Sequence, residues 1–210
     1  MADWATITSA ATAAGTFALA VSTVLSTRSA NQAARVAERS MLASLRPLVL
    51  ASRHQDPPEK VTWLDLHPLQ VPGGQAVIEE TDGVTYFAVG LRNAGNGVAV
   101  LHGWYMNASE DATFHPHPEP EEFRRLTRDL YIPAGDTGFC QGAFREADDP
   151  DREELHAALV ERRRIGLDIL YGDHEGGQRT ITRLGLMPTD SGAWLATTAR
   201  HWNLDRIDPR

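Results

Sequence analysis

The chain has 210 residues, a formal net charge of −8 and one cysteine, Cys140. That length suits one domain of about 150 residues plus an appendage. The acidic balance argues against a nucleic-acid partner, because phosphate binding needs clustered Lys and Arg. A lone cysteine excludes an internal disulfide framework.

The first element is ATITSAATAAGTFALAVSTVLS, Ala5 to Ser26, in which no side chain is charged. As α-helix it spans about 33 Å, close to the roughly 30 Å hydrocarbon core of a bilayer. Ile7, Phe17, Leu19, Val21, Val24 and Leu25 are strongly apolar, and eight positions are Ser or Thr. Hydroxyls are tolerated in lipid where they bond back to the carbonyl of the preceding turn. The start, MADW, carries Asp3 and no Lys or Arg, so it does not read as a secretory signal. We expect residues 1–27 to form a single transmembrane helix with Trp4 at the outer headgroup level. Arg28, Arg35, Arg39 and Arg46 all follow it, so the positive-inside rule puts the C-terminal side in the cytoplasm and the chain in the inner (cytoplasmic) membrane. Ala10, Ala14, Ala18, Ser22 and Ser26 form a row of small residues that favours a homodimer through this helix. The alternative is a helix that packs on the rest of the protein, or on a second copy, without lipid.

Residues 28–46, RSANQAARVAERSMLASLR, continue the helix as a stalk, and Pro47 marks its stop. The four arginines fall within about 20° of one line along it. Ala30, Ala34, Ala37, Met41 and Leu45 take the opposite face. The arginine stripe is either a solvated face or a surface for anionic membrane lipid or an acidic partner. A coiled coil on the alanine-rich face is a third option.

Residues 47–210 read as strands separated by turn chemistry. RPLVLAS and KVTWLDL are short β-rich runs with RHQDPPE as the turn between them. VTYFAVGLRN places Phe87, Val89 and Leu91 on one face, and AGNG then joins it to VAVLHGWYM as an expected hairpin. RIGLDILYGD and QRTITRLGLM make a second hairpin through HEGG, and GAWLATTARHW adds a last strand. Two helical insertions are expected. One lies in DPDREELHAALVERRR, with Asp149 as cap and Pro150 at the first helical position; the other is PEEFRRLTRDL, starting at Pro120. The fold expected is mainly β, an antiparallel β-sandwich with short helical insertions behind a long N-terminal α-helix.

GLRNAGNGVAV resembles the strand, Asn-x-Gly turn and strand of CARDB-like and other immunoglobulin-like adhesion modules, and YIPAGDTGF is similar to their proline-glycine turn. LDILYGDHEGGQRT resembles the late hairpin of uncharacterised bacterial proteins that join one N-terminal span to such a sandwich. The resemblance implies an immunoglobulin-like fold and an anchored architecture, and brings no catalytic residues.

Residues able to carry chemistry are few. His115 and His117 in FHPHPEPEEF, and Asp173, His174 and Glu175 in YGDHEGG, match no zinc or EF-hand spacing. No G-x-S-x-G, G-x-x-x-x-G-K-[ST] or strand-linked G-x-G-x-x-G occurs. Cys140 reads as a small buried apolar residue, and no positional logic pairs it with His102 as a base. We therefore expect no cofactor and no metal. The reading is a membrane-anchored interaction module with an unidentified protein partner. Its alternative is a small tethered hydrolase or metal-binding enzyme, to be recognised if His102, His115, His174 and Cys140 converge on one cleft.

Overall fold

The computed structural model describes residues 4–109 and 115–206, with the side chains of 4–7, 10, 11 and 129 also outside the description. It divides into two units, Met1–Ser44 and Leu45–Arg210.

The first unit is one helix, α1 (Trp4–Ser44), of 41 residues. Nothing in it breaks a helix, since Gly15 is its only glycine and it has no proline. It ends two residues before the expected boundary, so Arg46 lies beyond the helix and the stripe within it is Arg28, Arg35 and Arg39. Among the described residues no helix is long and apolar enough to cross a membrane. The transmembrane span expected over 1–27 thus receives no support from the structure. The physical reason lies in composition, because alanine and hydroxyl side chains fill most positions between the few large apolar ones.

The second unit is mainly β. Its strands are β1 (Val49–Ala51), β2 (Glu59–Thr62), β3 (Pro68–Val71), β4 (Gln75–Thr81), β5 (Val84–Asn93), β6 (Ala99–Asn107), β7 (Arg124–Ile132), β8 (Thr137–Phe144), β9 (Ile165–Gly172), β10 (Thr180–Pro188) and β11 (Trp194–Asn203). Nine of these form one antiparallel sheet in the order β8-β5-β4-β11-β10-β9-β6-β7, with β1 also paired to β5, while β2 and β3 pair as a separate hairpin. The sheet folds over itself, as the ring contacts show: Phe87 of β5 meets Trp104 of β6 at 4.7 Å, and Trp104 meets Phe144 of β8 at 5.2 Å. The arrangement is consistent with a β-sandwich.

Alternation decides which side chains enter the core. Ile165, Leu167, Ile169 and Tyr171 of β9 face it together with Phe87, Val89 and Leu91 of β5. On the outer side of β5, Tyr86 and Ala88 are covered by Val61, Trp63 and Val71 of the β2–β3 hairpin. β5 is therefore buried on both faces.

The second expected hairpin is present, with β9 and β10 paired from Tyr171↔Thr180 to Ile165↔Leu186. The first is not. β5 pairs with β1, β4 and β8, and β6 pairs with β7 and β9, so the AGNG segment joins two strands that do not pair with each other. Its glycines serve close approach. A Cβ on Gly97 would lie 1.7 Å from the Leu45 carbonyl oxygen, and one on Gly95 would lie 2.4 Å from that of Arg46. The buried Asn93 amide fixes the crossing by donating to the carbonyls of Gly97 (2.6 Å) and Ile132 (3.0 Å) and accepting from the Gly95 N–H (3.0 Å).

Of the two helical insertions, α2 (Pro150–Val160) forms as expected, with the Asp149 carboxylate accepting from the Asp151 N–H. PEEFRRLTRDL does not form a helix beyond a 3-10 turn at Pro120–Glu122; Arg124 onward is β7. Its apolar residues Leu126 and Leu130 pack against the core, and pairing with β6 overrides the local helical pattern.

Candidate functional site

Two surfaces can meet something outside the chain. The first is α1, where every described side chain is exposed, including Phe17 (72%), Leu19 (69%) and Val36 (61%). At 100° per residue, Phe17, Val21 and Val24 fall within about 60° of Arg28, Arg35 and Arg39. One face is thus apolar in its first half and basic in its second. Four hydroxyls of that first half bond back within the helix: Thr12 donates to the Thr8 carbonyl (2.9 Å), Thr16 to Thr12 (2.9 Å), Thr23 to Leu19 (2.8 Å) and Ser22 to Leu19 (2.9 Å). The expected headgroup role of Trp4 falls on a side chain outside the described ones. Arg46 departs from the expected stripe. Its guanidinium donates to the Asn203 side-chain oxygen (2.8 Å) and pairs with Asp205 (2.5 Å), so the charge is spent on the β unit.

The second surface is an edge of the sheet, at residues that the sequence did not single out. Among the described residues β7 pairs only with β6 and β8 only with β5, so each has an edge with no described strand on it. Between those edges lies a cleft of about 530 Å³. Trp104, Gly142 and the buried Gln141 line it from inside, Arg124, Arg125 and Thr127 from β7, and Asp65 and Arg145 from its rim. Gly142 has to be glycine here, since a Cβ would stand 2.3 Å from the Phe87 ring and 2.5 Å from Trp104. The Trp63 indole N–H donates to the Gly142 carbonyl (3.2 Å) and ties the β2–β3 hairpin to this edge.

Charges around the cleft are unevenly matched. Arg124 is clamped by Asp149 (2.6 and 2.8 Å) and Asp151 (2.6 Å), and lies 4.7 Å over the Phe144 ring. The Arg124 guanidinium holds the Asp149 carboxyl below the usual carboxylate range. Asp65 is held at about 2, first by the Tyr86 hydroxyl, which donates to it at 2.6 Å, and then by Arg145 at 2.6 Å. Arg128 donates to the neutral Gln141 amide oxygen (3.2 Å) and lies 5.7 Å over Phe139. Arg125 is exposed, and neither it nor Arg128 meets a carboxylate among the described residues.

The residues considered for catalysis or metal binding do not converge. Cys140 is fully buried in the main core, and burial pushes its thiol up to about 12. His115 contributes its carbonyl to Arg183, whereas His102 lines a separate depression with Phe123 and Arg179. Asp173 caps the β9–β10 turn, accepting from the N–H groups of Glu175 (3.1 Å) and Gly177 (2.8 Å) and from the Gln178 amide (3.0 Å). His117 packs against Trp202 with ring centroids 5.4 Å apart. Among the described residues no group of three His, Cys, Asp or Glu is placed to hold a metal ion.

No family model matches this chain, and no curated protein matches it. A solved structure described as a protein from Archaeoglobus fulgidus is similar to it at 10% identity with a TM-score of 0.25, the match covering 63% of this chain and 96% of that one.

Proposed function

We propose that the protein is a membrane-anchored interaction module, α1 serving as the anchor and the β unit as the part that meets a protein partner on the cytoplasmic side. The observation that carries this reading is the surface of α1. Phe17, Leu19, Val21, Val24 and Leu25 are all exposed on an uncharged stretch where Thr12, Thr16, Ser22 and Thr23 bond back to their own helix. Apolar side chains in that number gain about 25 cal/mol for each Å² removed from water, so something outside the helix is favoured to cover them. Lipid fits because Arg28, Arg35 and Arg39 follow at the depth where anionic headgroups sit, each adding about 1 kcal/mol near the surface. The span is a marginal one, and the arginines supply what the alanine-rich stretch lacks. The CARDB-like resemblance belongs to the same reading, since adhesion modules present loops and edges to other proteins.

Carbonate extraction of membranes from cells expressing the full chain tests the anchor. We expect the protein in the pellet, moved to the supernatant by Phe17→Asp with Val24→Asp. Recovery of the unaltered chain in the supernatant overturns the anchor. Sedimentation of that soluble fraction as a dimer then assigns α1 to self-association, for which the exposed Ala14, Ala18, Ser22 and Ser26 supply a close-packing row.

A further inference from the structure

We propose that the seam between β7 and β8 is a docking groove for an extended, acidic segment of a partner protein, which adds a strand to a free edge and sets carboxylates against Arg125 and Arg128. This rests on the interaction reading above and names the surface and partner chemistry that the reading leaves open. It makes no use of the anchor.

Three observations converge on the seam. First, the two edges face one cleft, and an unpaired edge offers a row of N–H and C=O groups to any extended chain. The lining residues 124–127 make it about 13 Å long, enough for four residues of a strand. Secondly, the groove is basic in a chain of net charge −8. The nearby carboxylates of Asp65, Asp149 and Asp151 are already engaged by Tyr86, Arg145 and Arg124, so among the described residues Arg125 and Arg128 meet no carboxylate. Gln141 is 4% exposed and lines the cleft; its oxygen accepts from Arg128, and its amide nitrogen makes no hydrogen bond to the described residues. That N–H group can donate to an incoming carbonyl or carboxylate. Thirdly, the rim carries exposed apolar residues. Leu64 lines the cleft at 79% exposure, and Leu66 on the same hairpin is 80% exposed with φ of 66°. A leucine in the left-handed region is disfavoured on its own account, so this turn is held strained while Leu64 stands out at the lip of the cleft in solvent.

An alternating pattern of side chains is what such a groove reads, since successive residues of an added strand point to opposite faces. A segment with acids on one face and valine or threonine on the other matches the exposed arginines of β7 and Leu64 at the rim.

The test is fluorescence anisotropy with the full chain in detergent and three labelled eight-residue probes: alternating valine and glutamate, the same peptide N-methylated at alternate residues, and one with lysine replacing glutamate. We expect saturable binding of the first probe, with the lysine and N-methylated probes and the Arg125→Glu variant each weakening it about tenfold or more. Inorganic phosphate at the same concentration is expected not to displace the probe. The proposal is overturned if the acidic probe does not saturate, if N-methylation has no effect, or if phosphate competes as well as the peptide, which would make the cleft a simple anion site. Equal binding to Arg125→Glu overturns the arginine's role. Arg125 is exposed and meets no carboxylate among the described residues, so this substitution leaves the fold intact, and the peptide-side changes do not touch the protein at all. Failure here leaves carbonate extraction unaffected, and loss of the anchor leaves the peptide measurement unaffected.

Discussion

In α1 every described side chain is exposed, whereas all eight residues of β9 are buried. The two regions hold their shapes by different means. The helix relies on backbone bonds and on alanine's helix propensity, and its apolar residues gain nothing from its own fold. The β unit relies on burial. Its aromatic cluster of Phe87, Trp104 and Phe144 lies across the fold in the sheet, where every removed atom leaves a cavity. The lesson is that substitutions of the same chemistry should have opposite consequences in the two regions. Phe87→Ala, at a site with 0% exposure, is expected to destabilise the β unit by about 3–5 kcal/mol in urea unfolding followed by tryptophan fluorescence. Phe17→Ala is expected to leave that transition where it is and to weaken membrane retention. A shift of the β transition by Phe17→Ala breaks the comparison.

The charged groups differ in the same way. The arginines of α1 are exposed, but Arg183 and Asp168 of the β unit are each 3% exposed and pair at 2.6 and 2.7 Å. Arg183 also lies 4.9 Å over the Trp202 ring and donates to the carbonyls of His115 and Pro116, so it pins that loop to the sheet. Burial pushes the Asp168 carboxyl up, against the pull of Arg183. Removing the cation alone leaves a carboxylate stranded in the interior, and Arg183→Met is expected to cost about 3 kcal/mol. Arg183→Met combined with Asp168→Leu is expected to recover most of it, because an apolar pair of similar volume needs no counter-charge. A double variant no more stable than the single one shows that the loop carbonyls, and not the ion pair, set the effect. The same assay on Arg35→Met is expected to show no change.

How far each region was legible follows from where its determining contacts lie. α1, α2 and the β9–β10 hairpin are encoded within a few residues: an unbroken helical run, Asp149 followed by Pro150, and alternating Ile165, Leu167 and Ile169 before a glycine turn. The Asp82-Gly83 turn was equally local. It joins β4 to β5 with φ of 53° and 78°, the left-handed pair of a tight hairpin, but Glu79 and Glu80 mask the alternation before it. AGNG misled for a different reason. A glycine needed for a left-handed turn and one needed for close approach look the same in sequence, and neither Gly95 nor Gly97 has a positive φ. What they accommodate is the backbone of Leu45 to Leu48, some fifty residues earlier. The cleft is less legible still, since β7, β8 and the β2–β3 hairpin meet there only through the sheet order. Gly97→Ala is therefore expected to destabilise the β unit by about 2–3 kcal/mol, as an added methyl must displace the Leu45 carbonyl. Gly15→Ala in α1, with nothing within 4 Å of the new Cβ, is expected to raise helicity slightly by circular dichroism. Equal effects at the two glycines would remove the distinction between them.

Acid offers the finest separation of the two regions. From Trp4 to Thr27 the helix has no ionisable side chain, so lowering the pH leaves that stretch unchanged. The β unit holds Asp65 at about 2 against an ordinary value of 3.8. A carboxyl lowered in the folded state binds protons more readily when unfolded. Its contribution to stability is complete above 3.8 and is lost as the pH falls toward 2. Asp65→Asn keeps an oxygen that can accept from the Tyr86 hydroxyl and removes the titrating charge. Wild type should be the more stable protein near neutrality, and its advantage should shrink between about pH 4 and pH 2, read as the gap between the two urea midpoints at each pH. Because Asp65 also holds Arg145 at the rim of the cleft, protonating it frees a guanidinium there. An acidic peptide whose own glutamates are still partly ionised at about pH 4 should then bind Asp65→Asn somewhat more tightly than wild type. A gap that stays constant from neutrality to pH 2 means that the Tyr86 bond alone, without the charge, positions this carboxyl.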